Sequence, residues 1–351
     1  MALRSYQINS ILAVRFSAIG DIILALPVVE ALHACFPGAA IDFALKREFQ
    51  GLAAHHPLVR RVHALDPALG FAGLKALNDR INESAYDLVV DLHQNLRSNY
   101  LRLFSNARLK RVYRKWSLER LLLTRFGINR LNGAPRVLDR YFTALEDFGI
   151  QREGRRPRLY FEPGLKEKVR DFLSGRGLPP GRKYLVAAPG ASFPTKRWPG
   201  SRFVEAASAL ARGGLAIVML GGGQDRELGR ELTRELGERK LSALDLCGEL
   251  AIEESALVIE GAELVLSNDS GLMHVADALD RPLVAVFGPT SRELGFYPPG
   301  PRSRVVEVEG LKCRPCTLHG NQACPRRHHH CMEEVPVEKV VAAAREVMAG
   351  P

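Results

Sequence analysis

Residues 11–36 read ILAVRFSAIGDIILALPVVEALHACF. The run ILAVRF at 11–16 is short and apolar at almost every position, as in a strand. The stretch 22–36 stays apolar over too great a length for a strand and reads as a helix, and SAIGD at 17–21 is the loop that joins them. A strand with no polar face is covered on both sides, the condition of a parallel sheet between layers of helix. The pattern recurs. Runs at 40–45, 88–91 and 109–113 read as strands. After the Pro- and Gly-punctuated stretch 157–164 the alternation restarts, with strands at 184–188, 216–220, 264–267 and 283–287. The fold class is therefore α/β, with two Rossmann-like, doubly wound domains expected over residues 1–160 and 161–351.

The 351 residues, 46% hydrophobic and 25% charged, can fill two cores and exclude disordered and fibrous classes. The longest apolar stretch, 22–32, contains Pro27 and Glu30 and falls short of the roughly 20 residues that span a bilayer. The N-terminal apolar run is broken by Arg15 and lacks the pattern of a secretory signal, so the chain reads as cytosolic. Lys and Arg outnumber Asp and Glu 49 to 39, which suits an anionic partner. The excess is local: between Arg97 and Arg136 eleven cations stand against the single acid Glu119. A solvated helical face, a phosphorylated substrate, an anionic lipid surface and nucleic acid all fit such a segment.

In open parallel sheets ligands bind where the strands end, so four post-strand loops are the candidates. The first carries Asp21, readable as a helix N-cap or as a carboxylate available as a general base. The second, PGASFPTKRWP at 189–199, offers Lys196 and Arg197 to a diphosphate. The third, GGGQD at 221–225, permits close backbone approach, but Arg226 stands where a dinucleotide fingerprint requires Gly, which removes the dehydrogenase reading. The fourth, SNDSGLMH at 267–274, brings Asp269, Ser270, Gly271 and His274 to a strand-to-helix junction whose first amides can hold phosphate.

These stretches, with YDLVVDLHQNLRS and the tail CRPCTLHGNQACPRRHHHCM, resemble the lipopolysaccharide heptosyltransferases of glycosyltransferase family 9 along essentially the whole chain. The form NDSGLMH is more similar to the branch that adds the second core heptose. The resemblance implies a GT-B architecture, two Rossmann-like domains facing across a cleft, with the acceptor held mainly by the first and the donor by the second. It implies an inverting, metal-independent transfer of heptose from ADP-L-glycero-D-manno-heptose to the inner core of lipopolysaccharide, with no catalytic cofactor, by an enzyme peripheral to the cytoplasmic face of the inner membrane. Carried over by position, Asp21 becomes the base, while Lys196, Asp269, Ser270, Gly271 and His274 become donor-binding. Gln224 stands where a relative can carry an acid toward the nucleoside. The cationic segment, through Arg97, Arg114 and Lys115, is expected to bind the acceptor and touch the membrane.

The cysteines divide into two sets. Cys35 and Cys247 lie in apolar surroundings and read as reduced core residues. Cys313, Cys316, Cys324 and Cys331 supply four thiols in one short segment, compatible with a structural zinc site, with unligated thiols or with disulfides. From these cysteines and the basic balance comes the alternative of a nucleic-acid-binding protein with a metal-stapled tail. It leaves the four strand-end loops without a purpose.

Overall fold

The computed structural model describes residues 7–350. They form two compact units, one of residues up to 116 together with 135–162, the other of residues 117–134 together with 163 onward. The second unit thus takes in a stretch of the basic segment, which a single cut in the sequence cannot express.

The first unit contains β1 (Ser10–Val14), α1 (Ile19–Cys35), β2 (Ala40–Lys46), β3 (Arg61–Leu65), α2 (Gly70–Glu83), β4 (Leu88–Asp91), α3 (Leu96–Phe104) and β5 (Leu109–Val112). The helix α4 (Ser117–Phe126) belongs to the second unit, and α5 (Val137–Phe142) returns to the first. The sheet runs β3-β2-β1-β4-β5, and every pairing is parallel. Its central strands are buried on both faces, which is why they read as unbroken apolar runs. Helix α1 is likewise buried along most of its length.

The second unit holds α6 (Leu165–Gly175), β6 (Tyr184–Ala188), α7 (Gly200–Ala211), β7 (Ala216–Met219), α8 (Arg226–Glu238), β8 (Ala243–Asp245), α9 (Ile252–Glu260), β9 (Leu264–Asn268), α10 (Gly271–Ala278), β10 (Leu283–Phe287), β11 (Ser303–Glu307), α11 (His330–Glu333) and α12 (Val337–Ala349). Its order is β11-β10-β9-β6-β7-β8, again all parallel. In both sheets the chain leaves the first strand in one direction and later returns to the other side of it. The reversal lies between β1 and β4 in one unit and between β6 and β9 in the other, and a crevice opens at the carboxyl ends of such a pair.

Three strands escape the sequence pattern: β3 (RVHAL), β8 (ALD) and β11 (SRVVE). All three are sheet edges, covered on fewer sides, so they carry polar residues and lack the continuous apolar run. The opening stretch also differs in detail. Strand β1 ends at Val14, leaving Arg15 and Phe16 in the loop, and α1 begins at Ile19. Asp21 is consequently the third residue of the helix and not its N-cap, which is Ala18. Cys247 lies in the second core as expected, whereas Cys35, at the end of α1, is only partly buried.

Candidate active site

The switch point of the first unit gathers Asp21, Arg15, Tyr141 and His93. Arg15 follows β1 directly, and one of its guanidinium nitrogens lies 2.7 Å from Asp21 Oδ2 while another donates to the Leu92 carbonyl at 2.7 Å. From α5, Tyr141 donates its hydroxyl to Asp21 Oδ1 at 2.9 Å. The Ala18 amide faces the same carboxylate at 3.5 Å, the reciprocal contact a helix makes with its third residue. Burial opposes the charge on Arg15, but Asp21 and the surrounding phenols outweigh it and raise its pKa. Burial is the main reason Tyr141 also keeps its proton far above the usual range, with Asp21 adding to it. The Arg15 guanidinium and the Tyr141 hydroxyl thus hold the carboxylate from two sides.

His93, after β4, accepts the Phe16 amide on Nδ1 at 3.1 Å and lies 3.0 Å from the Asn95 side chain through Nε2. Burial, reinforced by Arg15, pushes it down to about 3, so the ring is neutral beside the Arg15 charge. Lys115 donates to the Gln94 carbonyl at 3.3 Å and also depresses His93, which places it within electrostatic reach of this cluster. Arg114 is exposed and packs over the Trp116 ring at 4.9 Å, and Arg97 is exposed on α3. Of the three expected acceptor cations, Lys115 stands beside the Asp21 cluster; Arg97 and Arg114 are exposed.

In the second unit Lys196 and Asp269 meet at the switch point. Lys196 Nζ is 2.8 Å from Asp269 Oδ2, and Thr290, beyond β10, donates to the same oxygen at 2.7 Å. The sequence reading treats Lys196 as a cation awaiting phosphate; the fold pairs it with the carboxylate of the neighbouring loop. Asn268 holds the two loops together, donating to the Pro189 carbonyl at 2.7 Å and accepting the Trp198 amide at 3.0 Å. Ser270 sits at the N-cap position of α10 with its hydroxyl turned to that of Ser267 at 3.0 Å instead of to the helix amides, and Gly271 opens the helix. His274 is buried one turn on, its ring 6.3 Å from that of Phe296.

In the GGGQD turn, Gln224 is exposed while its neighbour Asp225 is buried. Asp225 accepts the Gly222 amide at 3.0 Å and faces Arg197 at 3.3 Å. Burial raises its pKa, against the pull of both partners. A Cβ at Gly190 would stand 2.3 Å from the Asp225 carboxylate, so the glycine of the PGAS loop is what allows that carboxylate into place.

The tail braces this site. Thr195 exchanges hydrogen bonds with the Asn321 backbone, both at 2.8 Å from its hydroxyl, and His329 Nε2 lies 2.9 Å from the Thr195 carbonyl. Gly320, at φ +111, leaves no room for a side chain against Phe193. Arg314 bonds the carbonyls of Gly288 and Thr290, and the Cys316 amide bonds Pro289. The tail therefore grips the two loops that carry Lys196 and Thr290. Its thiols are free, and among the described residues no three Cys, His, Asp or Glu side chains are grouped to hold a metal. Cys331 packs into the core, and burial, with Cys316, Cys313 and Cys324 adding to it, raises its thiol to about 12.

Arg15, His93, Tyr141, Asn268, Thr290 and Asp225 are the members of these clusters that the sequence reading did not assign. Arg15 is visible as a charge ending an apolar run and Thr290 as a hydroxyl just past a strand; nothing near Tyr141 marks it.

Two parallel sheets of Rossmann strand order, with polar and charged side chains at each switch point, form the α/β architecture shared with the GT-B heptosyltransferases. The family model described as glycosyltransferase family 9 (heptosyltransferase) matches residues 74–325, and the chain belongs to that family. It is 30% identical over 310 residues to lipopolysaccharide heptosyltransferase 2 of Salmonella typhimurium strain LT2, covering 85% of this chain and 88% of that one. It is 28% identical over 356 residues to lipooligosaccharide heptosyltransferase 2 of Haemophilus influenzae, covering 97% and 99%. In fold it is similar to E. coli ADP-heptose LPS heptosyltransferase II, with a TM-score of 0.77 at 24% identity over 97% and 98% of the two chains. The family 9 glycosyltransferase from Veillonella parvula DSM 2008 gives 0.81 at 22% identity over 98% of each. The nucleic-acid alternative falls with this membership. Among the described residues no helix is long and apolar enough to cross a membrane.

Proposed function

We propose that the chain transfers heptose from ADP-L-glycero-D-manno-heptose to the inner core of lipopolysaccharide, with inversion, at the cytoplasmic face of the inner membrane. The observation that carries this reading is the Asp21 carboxylate, fixed by Arg15 and Tyr141 at the end of β1. Both partners are donors and keep the carboxylate aimed. In the reaction the acceptor oxygen attacks the anomeric carbon, the bond from that carbon to the diphosphate oxygen breaks, ADP leaves with the electron pair, and Asp21 takes the hydroxyl proton. Attack opposite the leaving group inverts the centre in one displacement.

The leaving diphosphate is held in the second unit by Lys196 and by the amides at Ser270 and Gly271, with His274 and Asp269 completing the loop. Asp269 positions the Lys196 ammonium until phosphate arrives, and the Lys196 charge serves where other transferases use a metal ion. Gln224, exposed on its turn, contacts the nucleoside. Arg97, Arg114 and Lys115 hold the acidic acceptor in the first unit.

Incubation with ADP-L-glycero-D-manno-heptose and a core acceptor truncated before its second heptose tests the reading. A product heavier by one heptose, of inverted anomeric configuration and formed equally in chelator, is expected. No transfer to this acceptor, or transfer that chelation abolishes, refutes it.

A further inference from the structure

Helix α3 of the first unit turns apolar side chains outward. Ser98 and Leu101 are buried, whereas Leu96, Leu103 and Phe104 are 88%, 63% and 60% exposed. Positions 96, 100, 103 and 104 fall on one stripe of a helix, opposite the buried side. Tyr100 links the stripe to α2: its ring centroid is 4.7 Å from Phe104 and 5.3 Å from Phe71, which is itself 65% exposed beside the exposed Leu69. These six large side chains form one aromatic and aliphatic face.

Cations rim that face. Arg97 is exposed next to Leu96, and Lys110 donates to the Leu103 carbonyl at 3.1 Å, at the far end of α3. Lys75 stands on α2, paired with Asp79 at 3.1 Å. Between residues 97 and 116 there is no Asp or Glu. A second copy of this chain, with its net charge of +10, would set cation against cation here, whereas an anionic lipid surface matches both the apolar stripe and its rim. The stripe also starts at the catalytic loop, because the α3 cap residue Asn95 contacts His93, which in turn binds Phe16.

We propose that the α2–α3 face seats on an anionic bilayer, Phe71, Leu103 and Phe104 entering the acyl boundary while Arg97 and Lys110 meet headgroup phosphates. It rests on the lipid-linked acceptor assigned above and says where the enzyme meets it, with the Asp21 loop beside the membrane surface.

The full-length triple variant Phe71→Ser, Leu103→Ser, Phe104→Ser tests this by co-sedimentation with vesicles of phosphatidylethanolamine and phosphatidylglycerol, against pure phosphatidylcholine. Wild type is expected to bind the anionic vesicles, more weakly in high salt, and the variant to bind them at least about tenfold less. Both should turn over a delipidated, soluble core acceptor at the same rate. As a second probe, Leu103→Trp should show a blue-shifted emission with anionic vesicles alone. Wild-type protein left in the supernatant, a variant that sediments like wild type, or a wild-type dimer that the variant dissociates with vesicle binding unchanged would each overturn the proposal. Vesicle binding that the variant loses, in a protein inactive on any core acceptor, would uphold the surface and refute the proposed reaction instead.

Discussion

The ammonium of Lys196 is 2.8 Å from the carboxylate of Asp269, with 12% and 8% of the two side chains exposed. A pair this enclosed is costly to break from one side, because the remaining charge stays buried. Lys196→Ala should therefore cost about 3 kcal/mol of stability as well as donor affinity, while Lys196→Ala with Asp269→Ala should cost clearly less than the sum of the single changes. Denaturation midpoints of the three variants measure the coupling. Additive losses would show the charges to be independent.

Asp21→Asn keeps the shape of the side chain and its place in the first turn of α1, but cannot take a proton. Turnover should fall about 10² to 10⁴-fold with donor affinity nearly unchanged. Tyr141→Phe removes only the donor to Oδ1, and its effect should be about tenfold, in kcat rather than in donor KM. Steady-state kinetics on folded variants decide both. An Asp21→Asn enzyme within a few-fold of wild type would move the base to another residue.

Burial holds His56 down at about 4 and His93 at about 3, against 6.5 for an ordinary histidine. Both rings are neutral in the native state, whereas the unfolded chain takes up protons below about pH 6.5. Their contribution to stability is whole above that pH and is lost as pH falls toward 4 and 3, at about 1.4 kcal/mol per pH unit for each ring. Urea midpoints at about pH 7 and pH 5 should show this fall, and His56→Gln should remove roughly half of it. An unchanged slope would mean that His56 protonates without unfolding.

Thr195→Val deletes both hydroxyl hydrogen bonds to Asn321, leaving only the backbone one, and loosens the tail from the Lys196 loop. Donor KM should rise about tenfold, with kcat at saturating donor within a few-fold of wild type. Since the tail thiols are not grouped as metal ligands, chelation should leave the melting temperature of wild type unchanged. One equivalent of bound zinc, with a lower melting temperature on its removal, would restore the metal-site reading of Cys313, Cys316, Cys324 and Cys331.

The central strands, the doubly wound class and the four strand-end loops are written in the sequence, because a strand covered on both faces must be apolar at every position and the chain must break for a loop where it ends. Lys196, Asp269 and Asp21 are legible for the same reason: each is a charge placed just past such a run. Contacts made at long range are not legible. Tyr141 reaches Asp21 across 120 residues, Asn268 ties together loops 70 residues apart, and Thr195 meets the tail 126 residues on. The edge strands β3, β8 and β11 become strands only by pairing with an inner neighbour, and Met332 keeps its place in the core only because Gly288 leaves it room. Local pattern is set by which faces a segment must hide, and that is carried by the segment itself. Which donor a carboxylate finds depends on how the sheet orders its strands, and only the folded chain decides it.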